Sequence, residues 1–119
     1  MIKPRIAIAC DHRGLQMKNA LIDFLRKKNF EVVNCGTDTG ESCDYPDFIF
    51  QAAEKVAKKE CHRAIGICYT GIGSAIAANK VCGVRAALAQ NIEQARLSRA
   101  HNDSNMLILG AGFLPQDIL

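Results

Sequence analysis

Apolar and polar residues alternate along this chain on two length scales. Short runs rich in aliphatic and β-branched residues, at 6–10, 31–35, 64–67, 84–88 and 106–109, predict five strands. Between them the apolar positions recur at helical spacing. Leu21, Phe24 and Leu25 mark one stripe of a helix over 15–28, with Lys18, Asp23 and Lys27 placed off the stripe and Asn29 closing it. Ile49, Ala52, Ala53 and Val56 mark a second helix over 47–59, and the alanine-rich stretch 74–80 predicts a third. Asn91 with Gln94 three residues on resembles a capping box that opens a fourth, running to about Arg99. Pro115 begins a last helix, barely started at Leu119. Strands that alternate with helices predict parallel pairing and right-handed crossovers. The expected fold is a three-layer α-β-α, Rossmann-like sandwich around a five-stranded parallel sheet, one domain over residues 1–119 with its C-terminal helix cut short.

In such a sheet every strand-to-helix turn lies on one edge, where open α/β sheets bind ligands. That rim would gather Asp11-His12, the polar loop 36–46, the turn 68–73 and Gly110–Gly112. The stretch Cys68-Tyr69-Thr70-Gly71-Ile72-Gly73 stands out, because a glycine turn leads from an apolar strand straight into a helix. Its glycines let a ligand approach the backbone, and the free amides of the helix start favour an anion or a developing oxyanion. A thiol at a helix N-terminus is expected to ionise more readily, which suits Cys68 as a base or nucleophile. Position alone leaves open a small core residue instead. Asp11 and His12 read either as a turn cap with a surface histidine or as rim site groups, and their place on the rim favours the site reading. His101 follows a helix, so it belongs to the opposite edge and reaches a rim only in a neighbouring subunit.

Composition narrows the functional classes. Among 119 residues, 49% are apolar and 23% charged, an ordinary globular balance. A net charge of +3 with scattered Lys and Arg gives no nucleic-acid footprint, and Arg26-Lys27-Lys28 reads as a solvated helix end. The six cysteines contain no C-x-x-C pair, so zinc spacing is absent and no metal is expected. No apolar run approaches the ~20 residues of a membrane span, and no signal peptide is apparent. A cytoplasmic protein with reduced thiols is expected. Nucleotide-binding fingerprints and the G-x-S-x-G hydrolase elbow are missing.

Five motifs in order carry a resemblance over almost the whole chain. They are Cys10-Asp11-His12-Arg13-Gly14, Asp44-Tyr45-Pro46, Cys68-Tyr69-Thr70-Gly71-Ile72-Gly73, Ile76-Ala77-Ala78-Asn79-Lys80 and Leu97-Ser98-Arg99-Ala100-His101-Asn102-Asp103. The chain resembles the ribose-5-phosphate isomerase type B family, which includes galactose-6-phosphate isomerase subunits. The resemblance implies aldose–ketose isomerisation of a sugar phosphate, ribose 5-phosphate to ribulose 5-phosphate, through a cis-enediolate and without cofactor or metal. It implies that Cys68 moves the proton between carbons and that Thr70 and the turn amides hold the enediolate oxygen. It assigns ring opening to His101 of a partner subunit, with Asn102 beside it. Asp11, His12, Tyr45 and the turn residues Tyr69, Gly71, Ile72 and Gly73 would line the sugar. A homodimer or a dimer of dimers with shared sites is expected.

The chain departs from the family pattern at three places. Tyr69 replaces a glycine, putting a bulky side chain into the turn, and Ser74-Ala75 replaces Met-Ser. Gly112 stands where the family has a phosphate-gripping arginine, and the chain ends at Leu119 before the positions of the others. Arg13, with His12, is the candidate replacement for the phosphate grip. The alternative reading is a sugar-phosphate-binding or partner subunit with little activity of its own, and a third is a Cys68 redox or acyl-transfer enzyme.

Overall fold

A computed structural model describes residues 3–39, 41, 45–115, 117 and 119, and of Tyr45 the backbone alone. Part of the last turn expected from Pro115 and part of the loop 36–46 therefore lie outside the described residues, as does the Tyr45 side chain. Strands β1 (Arg5–Cys10), β2 (Glu31–Asn34), β3 (Arg63–Cys68), β4 (Ala86–Leu88) and β5 (Met106–Gly110) form one sheet in the order β2-β1-β3-β5-β4, all parallel. Helices α1 (Leu15–Lys27), α2 (Tyr45–Ala57), α3 (Ile72–Asn79) and α4 (Ile92–Asn102) form the crossovers. Among the described residues no helix is long and apolar enough to cross a membrane.

The central strands read as unbroken apolar runs because both of their faces are covered. Ala7, Ala9, Ala64, Met106 and Ile108 pack with α2 and α3; Ile8, Cys10, Ile67 and Leu109 pack with α1. On the first face Ile49, Ala52, Ala53 and Val56 are buried as their spacing requires, joined by Ala77 and Ala78 of α3. Small side chains there let both helices sit close to the sheet. The opposite face is less filled. No residue of α4 is buried, and a trough of about 220 Å³ runs between α1 and α4, lined by Leu21, Ile65, Leu107, Leu109 and Leu114 among others.

Helix ends follow their sequence signals. Asn91 caps α4 by accepting the Gln94 amide at 2.8 Å, while Gln94 Oε1 accepts the Gln90 amide at 2.7 Å, so two otherwise orphaned donors are satisfied. Asn29 stops α1 in the left-handed region, at φ 68°, as a helix-ending residue commonly does. The buried stripe of α1 needs correcting, however. It is Met17, Lys18, Leu21, Ile22 and Leu25, while Phe24 is 53% exposed. Lys18 is fully buried, its stem in the helix–sheet layer and its ammonium donating to Asn34 Oδ1 at 2.9 Å and Asp38 Oδ1 at 2.8 Å. Asn34 completes the knot by donating to Asp38 and accepting the Gly36 amide. A buried ammonium satisfied in this way fastens the rim loop after β2 onto α1.

The hydrogen bond from Lys18 holds the Asp38 carboxyl below its ordinary range, with the Asn34 amide adding to the effect. A carboxyl with a lowered folded-state pKa stabilises the fold above its unfolded value, and that stabilisation is lost as pH falls through the folded value. Urea unfolding from pH 7 down to pH 3 should show Asp38→Asn with a flatter acid limb than the parent. The step is expected to be small, because Asp38 itself is exposed and screened.

Candidate active site

The sheet order places a topological switch point between β1 and β3. The turn after β1 leads to α1 on one face, and the turn after β3 leads to α3 on the other. In open parallel sheets this is the point at which ligands bind, at the carboxyl ends of the strands. Asp11 and Cys68 flank it, tied across by the Asp11 amide donating to the Ile67 carbonyl at 3.1 Å.

Cys68 ends β3 and is 5% exposed. Its Sγ accepts the Gly71 amide at 3.2 Å. That contact uses the left-handed backbone of Gly71, φ 81°, where a Cβ would also strike Leu88 Cδ1 at 2.5 Å; only glycine adopts this conformation freely. Thr70 Oγ1 accepts the Ile72 amide at 3.1 Å, so its own proton is available to another acceptor. The following amides, of Gly73 and Ser74, belong to the first turn of α3 and have no carbonyl one turn earlier in the helix. Fully buried Ser74 adds a hydroxyl with no hydrogen-bond partner among the described residues. Nothing in the local pattern singles that serine out. An acceptor thiol, a donating hydroxyl and a helix N-terminus thus converge on one turn. The arrangement can hold a base beside an oxyanion.

Two further turns close around it. The extension of β5 runs along the Cys68 turn, with the Ala111 amide donating to the Cys68 carbonyl at 2.7 Å and the Gly112 amide to the Tyr69 carbonyl at 2.9 Å. On the other side Asp11 is buried and caps the short 3-10 turn His12–Gly14, its Oδ1 accepting the Arg13 amide at 2.9 Å. Asp11 therefore caps this turn from a position on the rim. His12 is half-buried beside it, and Tyr69 projects outward, 44% exposed. Ile72 is exposed at the head of α3, and Gly73 follows it.

Thus Asp11, His12, Arg13, Cys68, Tyr69, Thr70, Gly71, Ile72 and Gly73 share the carboxyl rim. His101 and Asn102 do not. They form the exposed end of α4 at the amino edge, where the Asn102 carbonyl accepts Arg85 Nε at 2.9 Å. Asn102 borders a hollow of about 250 Å³ with Asn79, Arg85 and Ser104. β3 alone spans about 13 Å from Ala64 to Cys68 at ~3.3 Å per residue, and His101 lies beyond the Ala64 end. Asn79 exchanges two hydrogen bonds with Ala86, at 2.9 and 2.8 Å, and so fixes α3 to β4.

Of the other described thiols, Cys10, Cys35 and Cys61 are buried in the packing layers and Cys82 is exposed. Burial pushes Cys35 and Cys61 above the ordinary thiol range against the opposing pull of Lys55. Among the described residues no disulfide forms, and no three His, Cys, Asp or Glu side chains lie close enough to hold a metal ion.

Residues 6–118 match the model of a family described as ribose/galactose isomerase. The chain is 42% identical over 107 residues to ribose-5-phosphate isomerase B of Escherichia coli, covering 90% of this chain and 72% of that one. Its fold superposes on Clostridium thermocellum ribose-5-phosphate isomerase B with a TM-score of 0.94 and 49% identity, covering 96% of this chain and 77% of the other. Ribose-5-phosphate isomerase B from Mycoplasma genitalium, solved with bound ribulose-5-phosphate, matches with a TM-score of 0.94 and 40% identity, over 99% of this chain and 78% of the other.

Gly71→Ala should damage this turn twice, through the left-handed backbone and through Leu88. A loss of about 1–3 kcal/mol is expected, read as a lowered midpoint in thermal unfolding.

Proposed function

The chain belongs to the ribose/galactose isomerase family and is a sugar-phosphate isomerase; from that premise we propose that it interconverts ribose 5-phosphate and ribulose 5-phosphate, with Cys68 as the proton-transfer base. The observation that carries this reading is the Cys68 sulfur accepting the Gly71 amide at the head of α3, next to a threonine hydroxyl free to donate.

In the open-chain aldose the C2 proton is acidified by the C1 carbonyl. Cys68, as thiolate, takes that proton while the electron pair moves through C1–C2 onto O1, giving a cis-enediolate. The thiol then returns the proton to C1, O2 becomes the ketone oxygen, and the O2 hydroxyl proton ends on O1. The barrier lies in forming the enediolate. Preset donors there, the Thr70 hydroxyl and the α3 amides, act at about 3–4 kcal/mol per donor in comparable oxyanion sites. The positioned base contributes a further ~10²–10⁴-fold. Near-complete burial of Cys68 keeps bulk water from the sulfur.

Ring opening needs a second acid–base group. We assign it to His101 of a second copy, with Asn102 beside it, because within one chain both stand at the far edge of the sheet. Asp11, His12 and Tyr45 are assigned to the sugar hydroxyls. The M. genitalium relative with its bound pentulose phosphate supports a five-carbon substrate.

Purified chain incubated with ribose 5-phosphate in deuterium oxide should exchange the C2 proton and accumulate ribulose 5-phosphate. Cys68→Ala should abolish both while leaving the circular dichroism unchanged; exchange retained in that variant would remove Cys68 from the reaction. A chain that acts only beside an unlike subunit would show no turnover even as wild type. The shared site has its own test. His101→Ala should lose turnover of cyclic substrate, and mixing it with Cys68→Ala should restore part of the activity through hybrid assemblies that keep one intact site. No recovery after co-refolding would mean that each site is built within one chain.

A further inference from the structure

Tyr69 and Gly112, which differ from the family pattern separately in the sequence, meet in the structure. The Tyr69 ring lies against Gly112, so closely that a Cβ at position 112 would overlap it. Phe113 packs against the same ring edge-on, with centroids 5.6 Å apart, a favoured aromatic geometry. Arg13 sits over the ring, its guanidinium carbon 4.6 Å from the centroid, within cation–π range. Arg13 comes from the turn after β1, Tyr69 from the turn after β3, and Gly112 and Phe113 from the end of β5. One ring therefore joins three rim turns, on the residue next to Cys68.

Arg13 is exposed, and among the described residues no carboxylate pairs with it. A guanidinium held over a ring by its charge spends no hydrogen-bond acceptor on that contact, and its N–H fork can still meet a bidentate oxyanion. The cation is thus held beside the site with its charge unspent.

We propose that Arg13 is the residue that grips the phosphate monoester of the substrate, and that Tyr69, seated on Gly112, is the positioning residue that aims it. This rests on the sugar-phosphate reading above and adds the source of its anion affinity. The role of Gly112 follows from sterics: any side chain there evicts the ring, and the ring carries Arg13 with it.

The test is titration of the full chain with inorganic phosphate by calorimetry, alongside KM and kcat for ribose 5-phosphate. Arg13→Gln should weaken phosphate binding about 10- to 100-fold, the range for a lost charge-assisted pair. Tyr69→Leu, which removes the ring, should weaken it about two- to five-fold, and Tyr69→Phe should restore it. Gly112→Ala should reproduce Tyr69→Leu although Arg13 is untouched. In all three weakened variants KM should rise more than kcat falls. Phosphate affinity unchanged in Arg13→Gln, equal losses in Tyr69→Leu and Tyr69→Phe, or no effect of Gly112→Ala would each overturn the assignment. So would a wild-type chain that does not bind phosphate. The two readings fail separately. Arg13-dependent phosphate binding without turnover sinks the isomerase reaction alone, and turnover with an unmoved KM in Arg13→Gln sinks the clamp alone.

Discussion

Cys68 Sγ meets the Gly71 amide because the chain reverses through a left-handed residue immediately after the central strand. That reversal is available only to a residue without a Cβ, since the space beside Gly71 is filled by Leu88 of the edge strand and by the backbone of Gly110. The sulfur, the Thr70 hydroxyl and the first amides of α3 are therefore placed by the sheet itself rather than by a mobile loop. Gly110 continues the same constraint, because a Cβ there would lie 2.5 Å from the Thr70 carbonyl oxygen. Two strand ends pressed this close make a rigid cradle, and rigidity at the site is what preset electrostatic stabilisation requires.

The two edges of the sheet have different chemistry. The carboxyl rim is rich in donors, and it carries Arg13 on the Tyr69 ring. The amino edge is laced by side chain to backbone hydrogen bonds. Asn105 receives the Arg85 amide and reaches the Gly83 carbonyl, while Arg85 reaches Asn102. This network holds the end of α4 in a defined place and leaves His101 exposed. A histidine fixed at the wrong edge of its own domain is understandable if it serves another copy, which is the arrangement proposed above.

The two helical layers are also unequal. Alanine-lined α2 and α3 sit close to the sheet, while α1 and α4 leave a trough over its centre. On the looser side the chain relies on a polar fastening, the Lys18 knot, to hold the loop that leads toward Tyr45. A buried ammonium is costly unless its protons are matched, so this knot also fixes the register of α1 against β2.

Periodicity alone specified the order and type of the elements, because a two-residue repeat and a 3.6-residue repeat are local properties that survive without a partner. It placed Ile49, Ala52, Ala53 and Val56 inside, while end signals closed α1 at Asn29 and opened α4 at Asn91, and the strand–helix alternation put Cys68 on the rim and His101 off it. The stripe of α1 differs at Lys18 and Phe24 for a reason that periodicity cannot contain. A lysine has an apolar stem, and its burial depends on Asn34 and Asp38 arriving from β2 and the loop beyond it. The same holds at the site. Tyr69 and Gly112 read as two unrelated departures until the pairing of β3 with β5 laid one on the other, and Arg13 met that ring only across the switch point. Local pattern determines what each segment is; the sheet order decides which distant side chains become neighbours, because such contacts form only once the strands are paired.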